Sequence, residues 1–367
     1  MGWYVLTLTD SPFLVGLVSA ARMGLNFLAL FAGAIADRMS RQLLLTAVEF
    51  VMACIGLLML GLILTGLLQV WHIFIITLFS GLVRMFQTPS AQSLVADTLT
   101  ADRISNGAAL TSMGMNLSTI VGPLLGGVLF QEFGPEGAYA AIVLLYSLSG
   151  ISALLVRISR TTTPQGRESM FSTALQGLRY VKGHQVLWAT LLVAVIANFT
   201  GWPFHTSLMP VFARDVLGTG SAGLGMLMSA FGIGALAGSV SLASVRNLRH
   251  TGKLLLIAVV AWHGTMVAFS ASTSIYLSLG ILVMTGIAFS STQVLMLTVL
   301  LRAAPPEFRG RIMGLRVLAI YAYTFGSMSA GAVAGAWGAP WAANMSAALG
   351  IALVGILALF TPKLRRV

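Results

Sequence analysis

Charged residues are scarce in this sequence, and cysteine is nearly absent. Only 8% of the 367 residues are charged, whereas 57% are hydrophobic, and the mean hydropathy is +0.92. These values lie outside the range of soluble globular domains and indicate a membrane protein. Cys54 is the single cysteine, which excludes an intramolecular disulfide and a metal site built on several thiolates.

Residue patterns typical of enzymes and ATPases are also lacking. The five histidines are scattered, no acid accompanies them in motif spacing, and no G-x-x-x-x-G-K loop occurs. We therefore expect no enzyme, cofactor or bound metal. The net charge of +11 comes from basic residues placed singly at the ends of apolar runs, which favours a lipid bilayer over nucleic acid as partner.

Eleven apolar runs are long enough to cross about 30 Å of hydrocarbon as helices. They are too long and too continuously apolar for barrel strands, so we predict an all-helical membrane protein. The predicted spans are residues 12–36, 43–66, 71–95, 105–130, 138–157, 185–212, 221–245, 254–273, 275–301, 312–334 and 338–361.

Basic residues mark one side of this topology. Of the 21 lysines and arginines, Arg22, Arg84 and Arg316 lie inside predicted spans and Arg214 lies in a loop of one side. All the others, from Arg38 and Arg41 to the C-terminal arginines, fall on the other side. The positive-inside rule predicts that this side, with the C-terminus, is cytoplasmic.

The longest polar connection divides five predicted spans from six. Its residues Met170, Phe171, Ala174, Leu175, Leu178 and Val181 recur at helical spacing. This pattern predicts an amphipathic helix at the membrane interface. We divide the chain into an N-terminal helix bundle (1–158), a cytoplasmic linker (159–184) and a C-terminal helix bundle (185–367).

An internal repeat relates the two bundles. The segment that begins at Gly16 resembles the segment that begins at Gly225, and "DRISNGAAL" from Asp102 resembles "GRIMGLRVL" from Gly310. Both pairs are offset by about 210 residues, which indicates two halves of parallel topology. The offset places residue 1 near the outer end of a first helix. We expect that the first helix is largely missing, through a misplaced start or a real truncation.

The chain resembles the major facilitator superfamily of secondary transporters, which implies two pseudo-repeated six-helix bundles. Gly33, Asp37, Arg38 and Arg41 fill the inner-loop signature G-x-x-x-D-R-x-x-R of that family. The stretches "ADRISNGAALTSMGMNLSTIVGPLLGG" and "LMPVFARDVLGTGSAGLG" are similar to the bacterial secretion-effector branch, which includes siderophore exporters and macrolide efflux proteins.

The resemblance assigns roles to two groups of residues. It implies that the signature residues and a carboxylate on another helix, for which Asp97 is the nearest candidate, form a cytoplasmic latch between the halves. Ordinary positive-inside anchoring would explain the arginines but not Asp37. "GPLLGG", with Gly122, Pro123, Gly126 and Gly127, resembles part of the antiporter motif, and it also fits a helix-packing face of small residues.

Polar side chains at membrane depth are the candidates for a substrate cavity. Thr77, Ser80, Arg84, Gln87, Thr88 and Gln92 recur at steps of three and four residues. In the resembled fold this helix lines the central cavity. The helix that carries Asn198, Trp202 and His205 lines it as well, and so does the helix that carries Gln293. Hydrogen bonding between helices is the alternative for each residue alone. We interpret Arg22 and Arg316 as structural, and expect Glu49 to pair with a loop arginine.

The sequence thus predicts a multi-pass transporter of the bacterial inner or plasma membrane. We expect a monomer that exports small amphipathic molecules, similar to drugs or siderophores, by proton-coupled alternating access as an antiporter. An inactive truncated relative is the alternative, and a membrane-embedded enzyme is less favoured. Arg84 suggests anionic substrates.

Overall fold

A computed structural model of the chain describes residues 1–24, 40–99, 103–156, 170–245 and 248–367, and the regular secondary structure of these ranges is helical. In these ranges nine helices are long and apolar enough to cross a membrane, and Pro12–Gly24 is a shorter apolar helix. The predicted all-helical membrane architecture is confirmed. The count of eleven spans stays a prediction, because the first predicted span continues into residues 25–39.

The first half of the chain begins with two short helices and continues with longer ones. The Ser40 side chain caps the third helix by accepting a hydrogen bond from the Leu43 N–H at 3.3 Å. The sixth helix reverses direction at Gly134, where φ is +67° and Pro135 follows. These helices are α1 (Gly2–Thr9), α2 (Pro12–Gly24), α3 (Arg41–Leu64), α4 (Val70–Arg84), α5 (Gln87–Thr98) and α6 (Ile104–Leu155).

The predicted span 71–95 contains a two-residue turn in the structure, although Val70–Gln92 as a whole is one of the nine candidate spans. A turn at Met85 and Phe86 separates α4 from α5, which begins with the polar sequence Gln87, Thr88, Pro89 and Ser90. An average of hydropathy over a membrane-length window does not detect this turn, because the apolar residues of α4 outweigh the polar start of α5.

In the second half, α8 differs from a regular α-helix. Three π-helical segments interrupt it, at Ala197–Gly201, Phe204–Leu208 and Phe212–Val216. Such turns widen a helix locally and are frequent at functional sites. The helices of this half are α7 (Met170–Lys182), α8 (Gln185–Val216), α9 (Ser221–Ala243), α10 (Thr251–Ser270), α11 (Ile275–Ala303), α12 (Pro306–Trp337), α13 (Ala339–Phe360) and α14 (Pro362–Arg366).

The linker helix α7 packs on the second half. The Tyr180 ring stacks on Phe308 at the start of α12, with ring centroids 4.1 Å apart. Val181 is buried in the same apolar cluster as Leu187 and Ile312. The described part of the linker is therefore attached to helices of the second half, while its interfacial position and the three-part domain division stay predictions.

Buried apolar side chains form different cores at the two ends of the bundle. We call the end that holds Arg41, Arg302 and Arg309 the basic end, and the other the opposite end. One large core, which we call the shared core, joins both halves toward the opposite end and includes Leu6, Val15, Phe204 and Phe212. Toward the basic end each half has its own separate cluster. The halves are thus joined at one end.

Candidate functional site

The backbones of the two halves touch near the opposite end. A Cβ atom added to Gly16 of α2 would lie 2.9 Å from the Gly331 Cα of α12. A Cβ atom added to Gly225 of α9 would lie 2.6 Å from the Pro123 carbonyl oxygen of α6. Both distances are too short for any side chain. Glycine at these positions therefore permits contact between helices of different halves.

Polar contacts add to this closed end. The Ser221 Oγ donates a hydrogen bond to the Gly127 carbonyl at 2.9 Å. The Arg214 Nη1 donates to the Leu6 carbonyl at 2.8 Å and to the Asp10 carboxylate at 2.7 Å. Arg214, the basic residue of the otherwise acidic side, thus connects the end of α8 to the end of α1.

The polar contacts between described residues of the two halves extend from the opposite end to mid-depth. The Ser229 Oγ donates to the Ile120 carbonyl near mid-depth, at 2.5 Å. Between this level and the basic end, the described residues show no hydrogen bond or salt bridge from one half to the other, and Arg103 and Arg311 each have a further interaction. The α6 side chains there are exposed, including Leu110 (69%), Met113 (67%) and Leu117 (61%). Within the described residues, the bundle is therefore closed toward the opposite end, and the contacts between its halves reach only to mid-depth.

Arg84 and Arg22 lie together near mid-depth. A Cβ atom added to Gly81 of α4 would lie 2.5 Å from the Arg22 carbonyl oxygen of α2, and Arg84 follows Gly81 by about one turn on the same side of its helix. At 1.5 Å rise per residue, Arg22 lies about 15 Å and Arg84 about 21 Å from the ends of their helices at the opposite end.

Both arginine side chains are exposed, and neither makes a hydrogen bond or salt bridge to a described residue. Arg84, Tyr146 and Tyr323 are close enough to Arg22 to act on its charge. Arg22 was interpreted from the sequence as structural. The structure places it beside Arg84, and its role stays a prediction. No pattern within the sequence could have paired residues 62 positions apart.

The other residues of the predicted polar stripe do not share one environment. Thr77 is buried and its hydroxyl lies 3.0 Å from the Met1 Sδ. The Ser80 hydroxyl donates to the Thr77 carbonyl at 2.8 Å. Thr88 and Gln92, which belong to α5 beyond the turn, are exposed. The turn therefore divides the stripe between two helices.

Gln87 binds the acid of a neighbouring helix. Its Nε2 donates to the Glu49 Oε1 of α3 at 2.8 Å, and Glu49 is only 3% exposed. In the described residues the partner of Glu49 is thus a neutral amide and not the loop arginine expected from the sequence. This bond holds α3 to the start of α5.

Of the candidates in the second half, Asn198 makes an intrahelical bond from its Nδ2 to the Ala194 carbonyl at 2.8 Å. Trp202 is half-buried. Gln293 lies at the limit of hydrogen bonding, 3.5 Å from the Arg316 Nη2. Their contact with a substrate stays a prediction.

His205 is buried at 5% exposure among aromatic rings. Its ring lies 4.0 Å from Phe231 of α9, between ring centroids. Trp262 of α10 donates its indole N–H to the His205 Nε2 at 3.2 Å. Phe204 and Phe289 contribute further rings at 5.0 and 6.3 Å. The structure thus places His205 within the second half.

The predicted latch is described only in part. Arg41 and Asp97 form a salt bridge of 2.9 Å, with Asp97 9% exposed. This pair joins α3 to α5 within the first half. Gly33, Asp37 and Arg38 lie outside the described residues. A role of these residues in joining the halves stays a prediction.

The residues of the antiporter-like segment fall into two groups. Pro123 and Gly127 lie against α9 of the other half, as described above. Gly122 and Gly126 have no atom within 4 Å of an added Cβ. Only the first two residues therefore take part in this contact, and the predicted antiporter role stays untested.

Within the described ranges, no three His, Cys, Asp or Glu side chains come together as a metal site. A cavity of about 730 Å³ lies at the opposite end between α1, α2 and α4. It is apart from Arg22 and Arg84, and its lining is mainly apolar: Leu8, Leu17, Leu68, Gln69, Val70, Trp71, Phe74 and Ile75.

Known proteins resemble this chain in sequence. A model of the transmembrane secretion effector family matches residues 1–367. The multidrug efflux pump Tap of Mycolicibacterium fortuitum is 26% identical over 254 residues, which cover 68% of this chain and 61% of the pump. The aligned part thus spans less than two thirds of Tap. The enterobactin exporter EntS of Shigella boydii serotype 4 (strain Sb227) is 25% identical over 369 residues, which cover 96% of this chain and 84% of EntS.

Solved structures share the fold. A bacterial homolog of the human lysosomal transporter Spinster, inward-facing and unoccupied, has a TM-score of 0.76 at 15% identity, and the match covers 99% of this chain and 92% of that one. A bacterial homologue of the iron transporter ferroportin, in an inward-facing state, has a TM-score of 0.72 at 17% identity and covers 100% and 93%. The chain belongs to the transmembrane secretion effector family of major facilitator superfamily transporters, which are multi-pass membrane proteins.

Proposed function

We propose that this chain exports small amphipathic anions by alternating access, in exchange for protons. The positive-inside rule predicts that the basic end is cytoplasmic. Because the described contacts between the halves lie toward the other end, we infer that the basic end is open and that this conformation takes up substrate from inside. The opposite end then opens when the shared core separates. The names of two relatives, a multidrug efflux pump and an enterobactin exporter, support export as the direction.

The observation that carries the anion preference is the arginine pair at mid-depth. An arginine inside a membrane is costly unless it faces water or a partner. Arg22 and Arg84 are exposed, and no acid of the described residues neutralises them. Two neighbouring guanidinium groups produce a positive potential, and each can bind a carboxylate or an ionised catechol through two N–H groups.

A binding experiment tests this proposal. The full chain in lipid nanodiscs is titrated against a fluorescent carboxylate dye and the methyl ester of the same dye, with fluorescence anisotropy as readout. Arg84→Gln and Arg22→Gln should each weaken binding of the carboxylate about tenfold or more, because a hydrogen-bonded ion pair contributes about 1.5–3 kcal/mol. Arg84→Lys should weaken it less, and the ester should be little affected.

Arg302→Gln is the matched control, since Arg302 bonds to the Leu248 carbonyl at the basic end. Equal weakening of dye and ester by Arg84→Gln would contradict the anion preference.

Transport is measured as uptake of enterobactin into proteoliposomes with an acidic interior, with and without nigericin to collapse the pH gradient. Binding without gradient-driven uptake would favour the alternative of an inactive relative. A membrane-embedded enzyme has less support, because the described residues bring no acid–base cluster together.

A further inference from the structure

One ring nitrogen of His205, the Nδ1, has no hydrogen-bond partner among the described atoms, although the region around the ring is well packed. His205 lies in the π-helical segment Phe204–Leu208, about 16 Å from the end of α8 at Val216 by helical rise, and is thus near mid-depth like the two arginines. An indole N–H can only donate, so the bond from Trp262 requires that the His205 Nε2 carries no proton. The proton of the neutral ring must then lie on Nδ1, which has no partner among the described atoms.

The second buried histidine, His263, provides a contrast. Its Nδ1 lies 2.8 Å from the Val259 carbonyl and its Nε2 lies 2.8 Å from the Thr200 hydroxyl. Both ring nitrogens therefore have partners. His263 is also the titratable side chain that lies close enough to His205 to influence its protonation. Among the described residues, no acidic or basic side chain of the surrounding helices has such an influence on the His205 ring.

We propose that His205 is the proton-binding group of the exporter, and that the Trp262 N–H holds it neutral in the conformation open to the basic end. This inference rests on the proposed proton exchange. Addition of a proton to the Nε2 removes the acceptor for Trp262, so the bond between α8 and α10 must break. The aromatic rings of Phe231, Phe289 and Trp262 around the imidazolium can then stabilise its charge by cation–π interaction.

The position of His205 connects this proton to the closed end. Nine residues after His205, the same helix carries Arg214, which binds α1 of the first half. Before His205 on the same helix, Phe199 and Pro203 lie against Gly326 of α12. A shift of α8 that follows the loss of the Trp262 bond therefore moves the helix that closes the opposite end. In an exporter, His205 then loses its proton to the cytoplasm in the conformation open to the basic end, and the substrate binds afterwards.

Residue-resolved exchange of the histidine C2 hydrogen, measured by mass spectrometry over a pH series, tests the bond directly. Trp262→Phe keeps the ring but removes the donor, so the titration midpoint of His205 should rise by about 0.5–1 pH unit, the value of one lost hydrogen bond to the neutral form. The midpoint of His263, read in the same spectra, should move less. Trp188→Phe, on the same helix but away from His205, is the matched control.

Gradient-driven enterobactin uptake tests the coupling role. The Gln side chain of His205→Gln can still accept a bond from Trp262 but cannot titrate, so the ratio of uptake with the gradient to uptake without it should fall to about one. His263→Gln should keep a ratio above one. A His205→Gln protein with the wild-type ratio, or an unchanged His205 midpoint in Trp262→Phe, would overturn the proposal. A wild-type ratio of one would contradict the proposed proton exchange itself, whereas a wild-type ratio above one that persists in His205→Gln would contradict only the role of His205.

Discussion

At the opposite end, Gly16 and Gly225 bring backbones of the two halves into contact, and Leu6, Phe204 and their neighbours share one core. At the basic end, each half has its own apolar cluster, and the salt bridge from Arg41 to Asp97 stays within the first half. The described contact between the halves therefore lies at one end and combines close backbone contacts at glycines with a core of larger apolar side chains.

This difference shows how closure can be both specific and reversible. Contact between glycine-containing faces depends steeply on distance, because dispersion is lost with a gap of less than 1 Å. The polar bonds across the closed end are few, and each contributes only about 0.5–1.5 kcal/mol. A ligand or proton with a preference of a few kcal/mol for one state is sufficient to shift such an equilibrium.

The largest effect is expected from a side chain placed in the closed contact. Gly16→Val should force the Ser327–Gly331 segment of α12 away, because the added atoms meet backbone that cannot yield. Overpacking of this kind costs about 1–3 kcal/mol, which favours opening of the opposite end. The measurement is labelling of Val211→Cys, normally 2% exposed, by a water-soluble thiol reagent in a Cys54→Ala background.

Gly335→Val is the matched control on α12. The nearest atom to its added Cβ, in Phe13, is 3.9 Å away, an ordinary contact distance. Labelling should therefore stay near the wild-type rate. If Gly16→Val also leaves labelling and thermal stability unchanged, the contact between α2 and α12 does not hold this end closed.

The helices themselves could be predicted from the sequence, because hydrocarbon thickness fixes the length of an apolar run. The predicted spans 43–66, 221–245 and 338–361 differ by only a few residues from α3 (Arg41–Leu64), α9 (Ser221–Ala243) and α13 (Ala339–Phe360). The turn at Met85 and the π-helical segments of α8 could not be predicted, since both are local backbone changes within runs of suitable composition.

The site was less predictable than the fold. Arg84 could be selected by the cost of its charge in a membrane, but its neighbour Arg22 depends on a contact between two helices at Gly81. The bond between Gln87 and Glu49 likewise joins separate helices. A single sequence shows which side chains are unusual in a membrane. It does not show which of them are in contact, because contacts between helices depend on tertiary packing.

A smaller effect is expected at the basic end. Arg41→Gln removes the salt bridge to the buried Asp97 carboxylate, which has a further interaction. The loss should be about 1–2 kcal/mol of stability and should lower the unfolding temperature. Because the pair joins α3 to α5 within one half, labelling at Val211→Cys should not change. Lys363→Gln is the control for loss of one positive charge at this end.

This variant also decides between two roles of the pair. If Arg41→Gln reduces Val211→Cys labelling, so that the opposite end closes more firmly, the salt bridge belongs to a latch between the halves, as the family resemblance implies. If it affects only the unfolding temperature, the pair stabilises the first half alone.

The smallest effect is expected from the carboxylate at the closed end. Asp10 is 87% exposed in its side chain and accepts one bond from Arg214, which also binds the Leu6 carbonyl. Exposed ion pairs contribute about 0–1 kcal/mol, so Asp10→Asn should raise Val211→Cys labelling by about fivefold or less. That increase should vanish in high salt, which already screens the pair in the wild type.

Arg214→Gln removes the bond to the Leu6 carbonyl at the end of α1 as well and should raise labelling more, at any salt concentration. Equal effects of the two variants would mean that the Asp10 carboxylate, and not the Leu6 carbonyl, accounts for the contribution of Arg214 to closure of this end.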